Sequence, residues 1–170
     1  MSYPTTTRQA DLAVWLRRIA PTVFWVIAED PLAPPIPENR TVGIIRIVST
    51  DRLGNDGHFK TYNETTEKFT YEIYSTKLIT FTIDVKSIDQ SANYILQTIE
   101  TFVNDPETIE YFASKELGYV ENSTIRNLSA LSSGRWRSRF QLDIKFNIED
   151  SVFIVRDRIV EAPTEGDIHK

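Results

Sequence analysis

From Trp136 to Ile148 the sequence alternates apolar and polar side chains with almost no interruption. Trp136, Phe140, Leu142, Ile144, Phe146 and Ile148 share one parity, and Arg137, Arg139, Gln141, Asp143, Lys145 and Asn147 share the other. A period of two places the two sets on opposite sides of a strand. A second run, Lys68 to Lys86, does the same. Phe69, Tyr71, Ile73, Ile79, Phe81, Ile83 and Val85 alternate with a set that includes Thr80, Thr82, Asp84 and Lys86. Two long half-apolar strands call for an antiparallel sheet with one packed face and one wet face. The layer that covers the packed face must come from elsewhere in the chain.

Two segments have the periodicity to supply it. In residues 5–20, Leu12, Trp15, Leu16 and Ile19 recur at helical spacing, with Thr5 to Thr7 as N-cap hydroxyls and Pro21 as a stop. In residues 89–104, with Ile88 just before them, Ile88, Ala92, Ile95, Ile99 and Phe102 form a second apolar stripe that Leu96 and Val103 widen. Asp89 is its expected N-cap. Pro106 opens a short third helix that runs to about Lys115, with Gly118 as C-cap. Between these lie a short apolar strand at 22–28, a proline-rich spacer at 29–37, a strand at 41–49 and a loop at 51–57. The polar stretch 75–77 is read as a turn that divides 68–86 into two strands. One continuous strand of that length would run roughly 60 Å. Further on come a weak strand at 119–131, a turn at 132–134, a break at 149–151 and a last strand at 152–160. The expected fold is α+β: an antiparallel (mixed) β-sheet with two main helices packed on one face. The 170 residues suit a single domain, with a core over about 8–160 and a polar tail at 161–170.

Composition narrows the chemistry. There is no cysteine, so disulfides, thiolate metal sites and cysteine nucleophiles are excluded. Nineteen basic against 24 acidic residues leave a net charge of −5, the wrong sign for a general nucleic-acid coat. The longest apolar run near the start, Val23 to Ala28, is too short for a membrane span. Arg8, Asp11, Arg17 and Arg18 interrupt any secretory h-region. The six glycines match neither a P-loop nor a dinucleotide fingerprint. His58 and His169 sit in a polar loop and near the chain end, without an orienting partner. The segment from Asp51 fails as a calcium loop because Leu53 and Tyr62 occupy ligand positions. Glu107/Glu110 and Glu149/Asp150 read as solvated carboxylate pairs, and Asn39, Asn63, Asn122 and Asn127 as ordinary polar positions. No catalytic, cofactor-binding or metal-ligating residue is expected.

Arg135, Arg137 and Arg139 stand out as a row of guanidinium groups on one strand face. The simpler reading is the solvated side of a strand. The other is a candidate interface that meets an acidic partner surface or phosphates.

Three stretches together carry a resemblance. One is the first helix followed by Thr22-Val23-Phe24-Trp25-Val26-Ile27-Ala28-Glu29-Asp30 and the prolines. Another is Lys77-Leu78-Ile79-Thr80-Phe81-Thr82-Ile83-Asp84-Val85 leading into the helix around Ala92 to Phe102. The last is Arg137 to Asn147. Over most of residues 8–160 this order resembles the tail-terminator and neck-terminator proteins of tailed bacteriophages. The resemblance implies a structural virion protein without catalysis, located in the tail or neck and assembled in the host cytoplasm. It implies a homo-oligomer, a hexameric ring that caps the tail tube and joins it to the neck or connector proteins. Genomic DNA would pass through the lumen without sequence-specific binding, and no membrane is involved. Another head–tail adaptor or a tail-tube-like subunit is the alternative.

Overall fold

The computed structural model of the protein describes residues 5–28, 30, 32, 35–37, 39–66, 68–132 and 135–157. The side chains of residues 5, 6, 132, 135, 136 and 157 are not among them. Three helices occur among the described residues: α1 (Thr5–Ile19), α2 (Ala92–Phe102) and α3 (Pro106–Ala113). The strands are β1 (Phe24–Ile27), β2 (Val42–Asn63), β3 (Lys68–Ser87), β4 (Gly118–Asn122), β5 (Arg126–Asn127), β6 (Ala130–Ser132) and β7 (Arg135–Asp157). The order across the sheet is β1-β2-β3-β7-β4, and β5 and β6 pair along the same edge of β7 as β4. Among the described residues the β1–β2 pair is parallel and the other pairs are antiparallel. The α+β, mixed-sheet expectation holds, with the helices on the apolar face.

That face follows from the alternation. Register pairs Val85 with Phe140, Ile83 with Leu142, Phe81 with Ile144 and Ile79 with Phe146. All eight are apolar, and all but the half-buried Phe140 are buried. Against them α1 presents Leu12, Trp15 and Leu16, and α2 presents Ala92, Leu96 and Ile99. Phe112 of α3 closes the layer. Its ring lies 5.1 Å from Trp15 and 4.8 Å from Phe146. Trp15 donates its indole N–H to Thr108 Oγ1 at 3.2 Å, and the Tyr111 hydroxyl donates to the Asp11 carbonyl at 2.9 Å. These two bonds join α1 to α3 across more than ninety residues of chain, and each leaves a polar group satisfied inside the packing.

The sequence reading is corrected in several places. Residues 51–57 are not a loop but part of β2, which passes through irregularities at Ile47/Ser49 and Leu53/Gly57. Gly54 takes a positive φ of 71° there, a conformation that suits glycine. Residues 75–77 are not a turn: β3 is one strand of 20 residues. Residues 149–151 do not break β7, which runs for 23 residues. The weak strand at 119–131 is three short strands. The N-cap of α2 is Ser91, and Asp89 accepts its backbone N–H. Residues 133–134, 158–160 and the tail at 161–170 lie outside the described residues, as does part of the proline spacer.

The three longest strands outrun their cover. At about 3.3 Å per residue, β3 spans roughly 65 Å, but its fully buried apolar residues lie only from Ile79 to Val85. The other half, with its partners in β2 and β7, projects as a three-stranded arm. Among the described residues the arm has two open edges. β1 covers β2 only from Val42 to Ile45, and β7 has no second partner beyond Asn147.

Candidate functional site

The helix-free face of the sheet collects the polar parity of each strand. Its centre is Asp84, whose side chain is wholly buried although no helix covers it. Arg139 Nε donates to both carboxylate oxygens at 3.0 Å, and Arg139 Nη2 also donates to Oδ2. Arg46 Nη2 donates to Oδ2 at 3.2 Å. The two arginine side chains stay 41% and 38% exposed, so they roof the carboxylate and keep one side in water. The hydrogen bonds from Arg139 to Asp84 raise the guanidinium pKa above its usual value. Further along, Asp143 accepts from Thr82 at 2.7 Å and from Gln141 at 3.3 Å, and it pairs with Arg126. Lys145 donates to Glu121 at 2.6 Å, which holds its ammonium above the usual range.

The arginine row divides on this face. Arg139 is tied to Asp84. Arg137 is exposed and pairs through its backbone register with Ala130 of β6. Arg135 pairs in register with Ser132, and its side chain lies outside the described ones. Two cations from other strands, Arg46 and Lys86, join the face. The period-two parity of Asp84 and Lys86 was the signal that could have placed them beside Arg139.

Arg137 and Arg139 line a groove of about 360 Å³ with Arg40 and Lys86. Ile36, Pro37, Val42 and Leu128 contribute its apolar surface, and among the described residues no carboxylate lines it. Among the described residues, no carboxylate pairs with Arg40, Lys86 or Arg137. The segment that holds α2 and α3 has the opposite sign. Between positions 89 and 121 the acids are Asp89, Glu100, Asp105, Glu107, Glu110, Glu116 and Glu121, against Lys115 alone. Lys115 lies 3.7 Å from Asp11. Glu107, Ile109 and Glu110 are exposed on α3, and Phe102 is exposed just before it.

The arm is apolar on both faces. On the face continuous with the core, the Tyr62 and Phe69 rings meet at a tilt of 45° with centroids 4.8 Å apart, and the Lys60 ammonium lies 3.9 Å from the Phe69 ring centroid. On the other face Phe59, Tyr74, Phe153 and Val155 are exposed. Sequence reasoning missed the arm because it divided each of these strands.

Among the described residues, His58, Glu107, Glu110 and Asp150 are not brought together. His58 lies on β2 opposite Ile73 and is exposed, and His169 lies outside the described residues. Glu107 and Glu110 face solvent, and Asp150 pairs with Lys77 at 2.5 Å. Among the described residues no group of three or more acidic or histidine side chains is placed to hold a metal. No helix among them is long and apolar enough to cross a membrane. The chain matches the family model described as phage neck terminator protein over residues 10–169. No curated protein matches it.

Proposed function

Because the chain belongs to the phage neck terminator family, which makes it a structural protein of the phage neck, we propose that it acts as a ring. Six copies, assembled in the host cytoplasm, cap the tail tube and join it to the head-side connector. Genomic DNA passes through the lumen without sequence-specific contact, and the protein performs no catalysis. The observation that supports this reading is the arm. It extends away from the chain's own core, exposes aromatic and aliphatic groups on two faces, and among the described residues has unpaired backbone on two edges. A strand edge of this length is a template for pairing with another chain unless something covers it, and large exposed apolar patches mark interaction sites. Repetition of one contact around a closed ring covers every arm with a neighbour.

Light scattering after size exclusion, over a concentration series and with purified tail tubes present, tests the assembly. One chain is 19.6 kDa, and six make about 118 kDa. A closed particle of that mass supports the ring. Open polymers that lengthen with concentration overturn it in favour of a tube-like subunit.

A further inference from the structure

We propose that the cationic groove at Arg137 receives the acidic α3 surface of a second copy of this chain. The inference rests on the ring reading and names one of its contacts. The groove presents Arg40, Lys86 and Arg137 without carboxylate partners among the described residues, above an apolar floor that includes Val42 and Leu128. An unpaired cation beside an apolar wall suits a carboxylate carried next to an apolar side chain, because the charge and the floor are then desolvated together. On α3, Glu107 and Glu110 stand three residues apart and share one exposed face, and Ile109 is exposed on the adjoining side of the same helix. The floor favours protein side chains over a nucleic-acid backbone, which offers phosphates without an apolar group beside them.

Geometry excludes the contact within one molecule. α3 packs on the apolar face of the sheet, whereas Lys86, Arg137 and Arg139 belong to the opposite parity. A groove that binds a different surface of an identical chain makes a heterologous contact. Such contacts close into rings when the rotation permits.

Reciprocal charge reversal tests the pairing. One variant carries Lys86→Glu with Arg137→Glu; the other carries Glu107→Lys with Glu110→Lys. All four positions are exposed, and near-UV circular dichroism checks that each variant folds. At a concentration where the wild type forms the ring, each variant alone is expected to stay at 19.6 kDa. A one-to-one mixture restores complementary charges at every contact if the two alternate, and six is an even number, so the ring mass returns. A chain with all four substitutions assembles alone. If each variant forms the ring as the wild type does, the groove contact is overturned while the ring stands. If both stay small and neither the mixture nor the fourfold variant recovers, α3 is not the occupant and the inference falls. Loss of duplex-DNA binding by an intact groove-variant ring, read by fluorescence anisotropy, overturns it in favour of phosphate. A wild type that remains at 19.6 kDa, even with tail tubes, overturns the ring itself and this contact with it.

Discussion

Asp84 and its two arginines are not equal partners. The carboxylate is wholly buried and the guanidiniums are half open to water. Asp84→Asn leaves two cations that can hydrate where they stand, so a loss of about 1–2 kcal/mol is expected in urea denaturation. Arg139→Met leaves a buried carboxylate with Arg46 alone, and about 3 kcal/mol is expected. The order of the two losses is the test, and a larger loss from Asp84→Asn would refute this account. Arg8 is a different case. It is 5% exposed, and its Nε and Nη2 have no hydrogen-bond partner among the described residues. Arg8→Met keeps the stem and removes the buried charge, so a stabilisation of about 1–3 kcal/mol is expected in the same assay. Asp89 supplies a pH dependence. Hydrogen bonds from the Ser91 and Ser87 hydroxyls, with the Ser91 backbone N–H, lower its pKa to about 2. The unfolded chain titrates near 4. The contribution is therefore present above pH 4 and lost as the pH falls from about 4 towards 2. A carboxyl titration by NMR checks the value, and Asp89→Ala is expected to flatten the acid-stability curve in that window.

At the scale of elements, β2 depends on a missing side chain. Trp25 lies over Gly43, its partner across the parallel pair, and a Cβ there would fall among the indole ring carbons. Trp25 is also fixed by donating to the Ala20 carbonyl at 3.1 Å. Gly43→Val is expected to cost at least about 2 kcal/mol through overpacking, read as a lower urea midpoint. The long strands have two regimes. Amides of β3 from Ile79 to Val85 lie under the helices, and those from Phe69 to Tyr74 lie in the arm. Hydrogen exchange on the monomeric chain is expected to follow global unfolding in the first set and local opening in the second. Equal protection of both would contradict the division. The same strands explain the sequence misreadings. Ser75 faces Asp150, Thr76 faces Glu149 and Leu53 faces Thr76. Each polar stretch reads as a turn by itself. They fall at one level of the sheet, where they meet one another and Lys77 pairs with Asp150. Only the register reveals that they are partners.

The whole molecule separates its charge and its apolar surface. The net charge of −5 conceals a basic groove on one side of the sheet and the acidic helices α2 and α3 on the other. The arm adds exposed Phe59 and Phe153 beyond both. Phe59→Glu with Phe153→Glu changes exposed residues far from the helices, so the fold and its melting temperature are expected to stay within the range of ordinary surface substitutions. If the arm carries subunit contacts, that variant remains at the monomer mass where the wild type assembles. Full assembly of the variant would remove the arm from the interface.

Local patterning determined a good deal by itself. The alternation at 140–148 fixed which residues of β7 face the core, because side chains on a strand change sides at every residue. Spacing of three and four placed α1 and α2 and most of their buried stripes, although Ile88 and Phe102, read as part of the α2 stripe, are exposed, and Pro21 and Pro106 marked a helix stop and a helix start through their fixed φ and missing N–H. The tertiary structure decided whatever depends on residues far apart in the chain. Register joined Asp84 to Arg139 and Arg46, turned one strand face into a groove, and made one arm of segments read as separate pieces. Pairing energies of that kind arise only once distant strands are side by side, so no window along the sequence contains them.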